Sequence, residues 1–258
     1  MMELNLNCDL GEKSKHYNGH NDDALLKIVN TANIACGYHA GNKTVMTKTI
    51  RTAKVNRVSI GAHPGFKDKK NFGRKKINLS QIEIYKLIIE QLEIISKISK
   101  EIRYPLTHVK PHGALNNMAC EDIRIAQTIG RAIKEFNKDL IYMVLPLTKM
   151  HKAAKILNLK YACEIFADRN YNDKGLLIDR SHPKAMIKNT SEAIRNISLM
   201  IENKAIKTIS GKFLKTDIDS VCIHGDGSKA VEISNIIKKG LLQKGIKFLP
   251  LNKLSKFN

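Results

Sequence analysis

The chain has 258 residues, enough for one large α/β domain or two small ones, and a hydrophobic share of 43% that supports a real core. No apolar run approaches the roughly 20 residues of a membrane span, and the opening MMELNLNCDLGE has neither a basic n-region nor an apolar h-region, so a cytoplasmic protein is expected. A formal charge of +20 invites nucleic acid, but lysine far outnumbers arginine and lies scattered along helical faces, with no basic tail, zinc-finger spacing or aromatic-basic interleaving, so that class of partner is set aside.

Strand-like runs alternate with stretches of helical period. ELNLNCDL, ANIAC, VSIGAH, LTHVKPHG, LIYMVLP, YACEIFAD and SVCIHGD read as seven strands in chain order. Between them, amphipathic segments at about 43–55, 81–100, 121–136, 190–203 and 227–243 read as helices. No linker or low-complexity stretch divides them, so residues 1–258 are expected to form a single parallel α/β domain.

Two architectures compete, a closed barrel and an open doubly wound sheet. Nearly every strand candidate ends in polar groups: Asn7 and Asp9, His39, His63, Lys110 and His112, Glu164 and Asp168, His224 and Asp226. An open sheet concentrates function near one switch point, whereas a barrel gathers groups from the C-terminal ends of many strands. The pattern predicts closure.

In HVKPHGAL (108–115), strand alternation puts His108, Lys110 and His112 on one face, just before Pro111 and Gly113. That is the working end of a strand, and its lysine is expected to stand as an unpaired cation awaiting an anion. GYHAGNKT (37–44) imitates a phosphate-binding loop, but only three residues separate its glycines and Asn42 precedes Lys43. Arg74 in NFGRKK offers a bidentate fork for a carboxylate or phosphate. In EIFADRNY, Glu164, Asp168 and Arg169 share a strand end; in CIHGDG, His224 and Asp226 repeat the pattern. Five cysteines (8, 36, 120, 163, 222) contain no CxxC pair and are read as reduced small hydrophobes. Alternation turns Cys8 away from Asn7 and Asp9, and Cys222 away from Val221 and Ile223, so no cysteine commands a site. His108 with His112 is the nearest approach to a metal spacing. Metal-free acid–base chemistry suits the inventory best, and no metal ligands are assigned.

Assembled, LNCDLGE (6–12), ANIACGYHAG (32–41), IGAHPGF (60–66), FGR (72–74), HVKPHGAL, EIFADRNY (164–171) and CIHGD (222–226) resemble the LamB/YcsF family, in family order across nearly the whole chain. The departures are Asn42, Asn116 and Asn117, and the missing proline in GDGSKAVE. The resemblance implies a seven-stranded (β/α) barrel shaped like polysaccharide deacetylases and some glycosidases. It implies the A subunit of a 5-oxoprolinase, opening the lactam of 5-oxo-L-proline to glutamate with ATP, which brings Mg2+, and with partner subunits B and C. The lactam oxygen would be phosphorylated and the ring carbon attacked by water. Asp9, Glu164 or Asp226 would be the base, and Lys110 and His112 would face the developing charge. Asn7, Asn33, His39, His63, Arg74, Asp168, Arg169 and His224 would hold the substrate. Association of the chain with itself stays open. The alternative reading is a metal-dependent amidohydrolase or deacetylase acting on another small amide.

Overall fold

A computed structural model describes residues 2–15, 17–225 and 229–258. In chain order the elements are β1 (Met2–Leu10), α1 (Asp22–Leu25), β2 (Thr31–Ala35), α2 (Lys43–Val55), β3 (Ser59–His63), α3 (Gln81–Ile102), β4 (Leu106–Val109), α4 (Gly113–Glu121), α5 (Ile123–Phe136), β5 (Ile141–Val144), α6 (Lys149–Ile156), β6 (Tyr161–Phe166), α7 (Thr190–Asn203), β7 (Ala205–Lys207), β8 (Phe213–Lys215), β9 (Ser220–Ile223), α8 (Ala230–Gln243) and β10 (Ile246–Phe248).

Strands β1 to β6 pair in sequence, all parallel; β9 joins β6 and then closes onto β1 through Asn5↔Ser220 to Cys8↔Ile223. Closure therefore comes with seven strands, as the strand-end pattern predicts. β1 is the longest strand because it serves two partners in tandem: Met2–Leu4 pairs with β10, and the next residues pair with β9. β7 and β8 form a small antiparallel hairpin outside the barrel.

Local chemistry fixes the helix boundaries. Asn42 accepts a hydrogen bond from the Val45 amide, so the apparent phosphate loop is a capping turn that starts α2. Ser80 and Glu83 cap α3 reciprocally, and Arg103 ends it in the left-handed region. The helix expected over 121–136 is α5: Asp122 leaves helical geometry, caps it through the Arg124 amide, and separates it from the nine-residue α4, which the sequence reading missed. Short α1, α6, β7, β8 and β10 went unread in the sequence; each spans eight residues or fewer and leaves little periodicity to detect.

The helices bury one apolar stripe each against the barrel wall: Ile84, Ile88, Leu92 and Ile95 on α3 are all 1% exposed or less. At roughly 1.5–3 kcal/mol per buried aliphatic side chain, this shell carries most of the stabilisation. No helix among the described residues is long and apolar enough to cross a membrane. Lys110 and Arg169 are the only buried lysine and arginine among those residues, so the large positive charge is otherwise at the surface.

Candidate active site

The barrel interior is polar and layered. In the lowest layer Asn5 donates to Thr31 Oγ1 (2.8 Å), Ser220 donates to Asn5 Oδ1 (2.7 Å), and Thr31 meets Ser59 at 2.6 Å. In the next layer Asn7 donates to Glu164 Oε1 (2.8 Å) and accepts from Asn33 (2.7 Å). The His108 imidazole reaches Asn33 Oδ1 at 2.8 Å. This ring fits only because position 61 is glycine: a Cβ there would lie 2.3 Å from the imidazole. Burial first, and then the charge of Lys110, push the His108 pKa down to about 3, so it is a neutral structural ring. Buried polar groups satisfied in this way hold a rigid floor.

On that floor stands Lys110. Its ammonium lies 2.9 Å from Asp9 Oδ1, 3.0 Å from Glu164 Oε1 and 3.1 Å from Cys222 Sγ. The expected unpaired cation is therefore doubly paired, because a bare ammonium at 5% side-chain exposure would be too costly to desolvate. Burial works against its charge, but the two carboxylates win and raise its pKa well above the usual value. They also diverge from each other. Burial favours the acid form in both; His63 and Lys110 overcome it for Asp9, which is held well below its usual range. For Glu164 burial prevails over Lys110, and its pKa is raised. Such a split makes Asp9 the stronger acid of the two and Glu164 the weaker.

Beside Asp9, four side chains from different strand ends converge: Glu12, His39, His63 and His112, whose ligand atoms lie within 4.8 Å of one another, all buried. His63 Nε2 faces His112 Nδ1 at 3.0 Å, and Glu12 Oε1 lies 3.2 Å from His112 Nδ1 and 3.1 Å from His39 Nε2. Burial and the neighbouring His112 push the His39 pKa down to about 3. Burial opposes the Glu12 charge, but the adjoining His112 and His39 rings hold its pKa far below the usual range. Gly73, at φ +62°, makes the packing possible, since a Cβ there would come within 2.8 Å of His39 and 2.9 Å of His112.

Above these groups opens a cavity of about 420 Å³ at the C-terminal mouth of the barrel. Asp9, His63, Lys110 and His112 reach its base, and Arg74, Arg169 and Arg180 stand on its wall. Arg74 lies over the Phe72 ring at 4.9 Å, and Arg169 donates to the Ile178 carbonyl at 2.6 Å. His224 stacks on Phe166 and donates from Nδ1 to Asp168 at 2.8 Å. Burial lowers the His224 pKa, but Asp168 more than compensates and raises it.

Of the residues assigned to substrate from sequence, His63, Arg74, Arg169 and His224 line the cavity. Asn7, Asn33, His39 and Asp168 are not on its lining: Asn33 donates to Asp9 Oδ1 at 2.8 Å, His39 meets Glu12, and Asp168 holds His224, while Asn7 holds Glu164. Among the catalytic candidates, Asp9, Lys110 and His112 reach the cavity, and Glu164 lies beneath it at 1% exposure. Asp226 lies outside the described residues. Two contributors escaped the sequence reading. Glu12 sits past the end of β1, where strand alternation gives no direction, although it belongs to LNCDLGE. Arg180 belongs to a segment without periodicity. Cys222 also turns inward onto Lys110, but burial raises its thiol pKa well above the usual value, which makes it a poor nucleophile.

A closed parallel barrel with charged groups converging at its C-terminal mouth defines a (β/α) barrel of the deacetylase shape; T48 deacetylase, solved with substrate, superposes with a TM-score of 0.50 at 11% identity over 97% of this chain and 88% of that one, a likeness of fold alone. The chain belongs to the LamB/YcsF family, which it matches over residues 4–256. It is 43% identical to the A subunit of 5-oxoprolinase from Staphylococcus epidermidis over 246 residues, 95% of this chain and 97% of that protein. The crystal structure of the lactam utilization protein from Thermus thermophilus superposes with a TM-score of 0.89 at 34% identity, covering 96% of this chain and 99% of that one.

Proposed function

We propose that this chain is the A subunit of a 5-oxoprolinase, acting with subunits B and C in the cytoplasm to open 5-oxo-L-proline to L-glutamate with ATP converted to ADP and phosphate. The observation that carries the reading is the near-complete, 43% identical match to a protein of that name, on a barrel whose mouth combines a charged carboxylate, a cation and an arginine-bearing wall.

The chemistry follows from the weakness of a lactam as an electrophile. Transfer of the γ-phosphoryl group to the lactam oxygen leaves ADP and activates the ring carbon. Water adds there; the C–N bond breaks as the nitrogen gains a proton, and the product is an acyl phosphate. A second water releases phosphate and glutamate. Asp9, ionised and at the cavity base, is placed to take a proton from the water. Lys110 opposes negative charge on the former lactam oxygen. Arg74 and Arg169 supply forks for the substrate carboxylate and phosphoryl oxygens. The turn at 37–44 is not a nucleotide cradle, because the Gly41 amide is spent on the Lys13 carbonyl and Asn42 caps a helix. Nucleotide binding with Mg2+ is therefore assigned to the assembly.

The test is 5-oxoproline-dependent release of ADP and glutamate, measured with the chain alone and with both partner subunits. Turnover only in the complete mixture is expected. Robust ATP-dependent glutamate release by the chain alone refutes the division of labour, and no turnover in the complete mixture refutes the function.

A further inference from the structure

We propose that Glu12, His63 and His112 form a binding site for one divalent first-row transition ion, zinc being the probe of choice, opening onto the cavity. The inference goes beyond the 5-oxoprolinase reading and does not rest on it.

The argument is one of protons. His63 Nδ1 lies 2.6 Å from the Lys110 carbonyl, and His112 Nε2 lies 2.8 Å from the Phe72 carbonyl. A carbonyl oxygen only accepts, so each of these nitrogens carries the hydrogen. Each neutral ring then has one lone pair left, on His63 Nε2 and His112 Nδ1. These two lone pairs face each other at 3.0 Å. Glu12 Oε1, a third acceptor, lies 3.2 Å from one and 3.7 Å from the other. Three buried acceptors pointed at one place repel each other unless a cation sits among them. Backbone carbonyls fixing the far nitrogens are also what orients imidazoles toward a metal.

The spacing suits an ion. Ligands about 2.0–2.2 Å from a tetrahedral zinc stand about 3.4 Å apart, and the three separations here are 3.0, 3.2 and 3.7 Å. His39 is a support, not a fourth ligand. Its ring stacks on His112 with centroids 3.8 Å apart and planes 4° apart, so its in-plane lone pairs lie in a separate plane parallel to that of His112 and do not meet its lone pairs at one point. Its Nε2 instead reaches Glu12 at 3.1 Å, and its Nδ1 has no partner among the described residues, so the contact it makes fixes the carboxylate. Asp9 Oδ2, 3.5 Å from His63 Nε2, faces the same point. Glu12, His63 and His112 all line the cavity, which leaves the remaining coordination positions open to water or substrate. Two imidazoles favour zinc, iron, cobalt or nickel over magnesium. The competing occupant is a single proton shared by the two rings.

The test uses the full chain, stripped with chelator and titrated with Zn2+ and with Co2+ near neutral pH. One equivalent of zinc should bind at micromolar or lower free metal, raise the melting temperature, and show two imidazoles in its X-ray absorption spectrum; Co2+ should give visible absorption bands. Glu12→Gln and His112→Gln should each weaken zinc binding by 10-fold or more. Should a variant fail to fold, the wild-type titration and spectra still decide. No zinc uptake, no cobalt bands and an unchanged melting temperature overturn the site and leave the proton as occupant. A chain that takes up no zinc yet supports 5-oxoproline-dependent turnover with its partners refutes the site and spares the proposed function; a zinc-loaded chain without such turnover does the reverse.

Discussion

Lys110 Nζ lies 2.9 Å from Asp9 Oδ1, and Glu164 Oε1 meets the same ammonium at 3.0 Å. The catalytic candidates of three strand ends are thus one electrostatic unit. Removing any member changes the protonation of the others, so mutational effects here will not add.

Lys110→Met separates the two duties of this unit. It keeps the apolar stem and removes the cation, leaving two carboxylates buried together. Turnover of the assembled enzyme should fall ~10²–10³-fold, as for loss of one preorganised electrostatic contact. Unfolding free energy should also drop, by about 3–5 kcal/mol, because a buried charge loses its partner. Adding Glu164→Gln relieves the repulsion and should recover most of the stability but little of the rate. Denaturant unfolding and steady-state turnover on the same preparations check both. A single variant as stable as the wild type would show that the ammonium is not held by these carboxylates.

The same unit shows how far the sequence reached. Strand alternation aligned Lys110 with His108 and His112, because period 2 fixes which face a side chain takes; His112 reaches the barrel mouth, whereas His108 lies in the floor beneath it. It could not show that Glu164, fifty-four positions away, turns toward the same nitrogen; that depends on how strands are staggered on closing. Nor does alternation continue past a strand end, so Glu12, two residues beyond β1, carried no direction at all. The family resemblance implies Asn7 and Asn33 as substrate contacts. In this barrel they fill an interior where aliphatic layers are more usual, and what they touch is each other.

The His224–Asp168 pair should give stability a defined pH window. The folded His224 pKa is raised, so its contribution is full below the unfolded value of 6.5 and is lost as pH rises through the folded value. The folded Asp168 pKa is lowered, with burial opposing and His224 prevailing, so its contribution is present above 3.8 and lost as pH falls through the folded value. Asp168→Asn should destabilise most between those limits, on the order of 1–2 kcal/mol, and least in alkaline solution. In the variant the His224 ring should titrate at lower pH than in the wild type, as read by NMR. An unmoved His224 titration would show that Asp168 does not hold its proton.

Gly61 and His108 should prove energetically coupled although one has no side chain. The imidazole lies across the glycine, where an added Cβ would sit 2.3 Å from the ring, and His108 is fully buried. Gly61→Ala should therefore push the ring off Asn33 Oδ1 and cost about 2–4 kcal/mol, from overpacking together with an unsatisfied buried acceptor. Asn33 also donates to Asp9 Oδ1 at 2.8 Å, so turnover should fall with it. His108→Ala alone should be destabilising for the opposite reason, by opening a cavity beneath the site. In the double variant the added methyl enters that cavity, and the clash disappears. Its loss should be smaller than the sum of the single losses by about 1–3 kcal/mol. Denaturant unfolding of the three variants gives the coupling directly. Strictly additive losses would mean that the ring escapes the methyl, and that some other contact requires glycine at position 61.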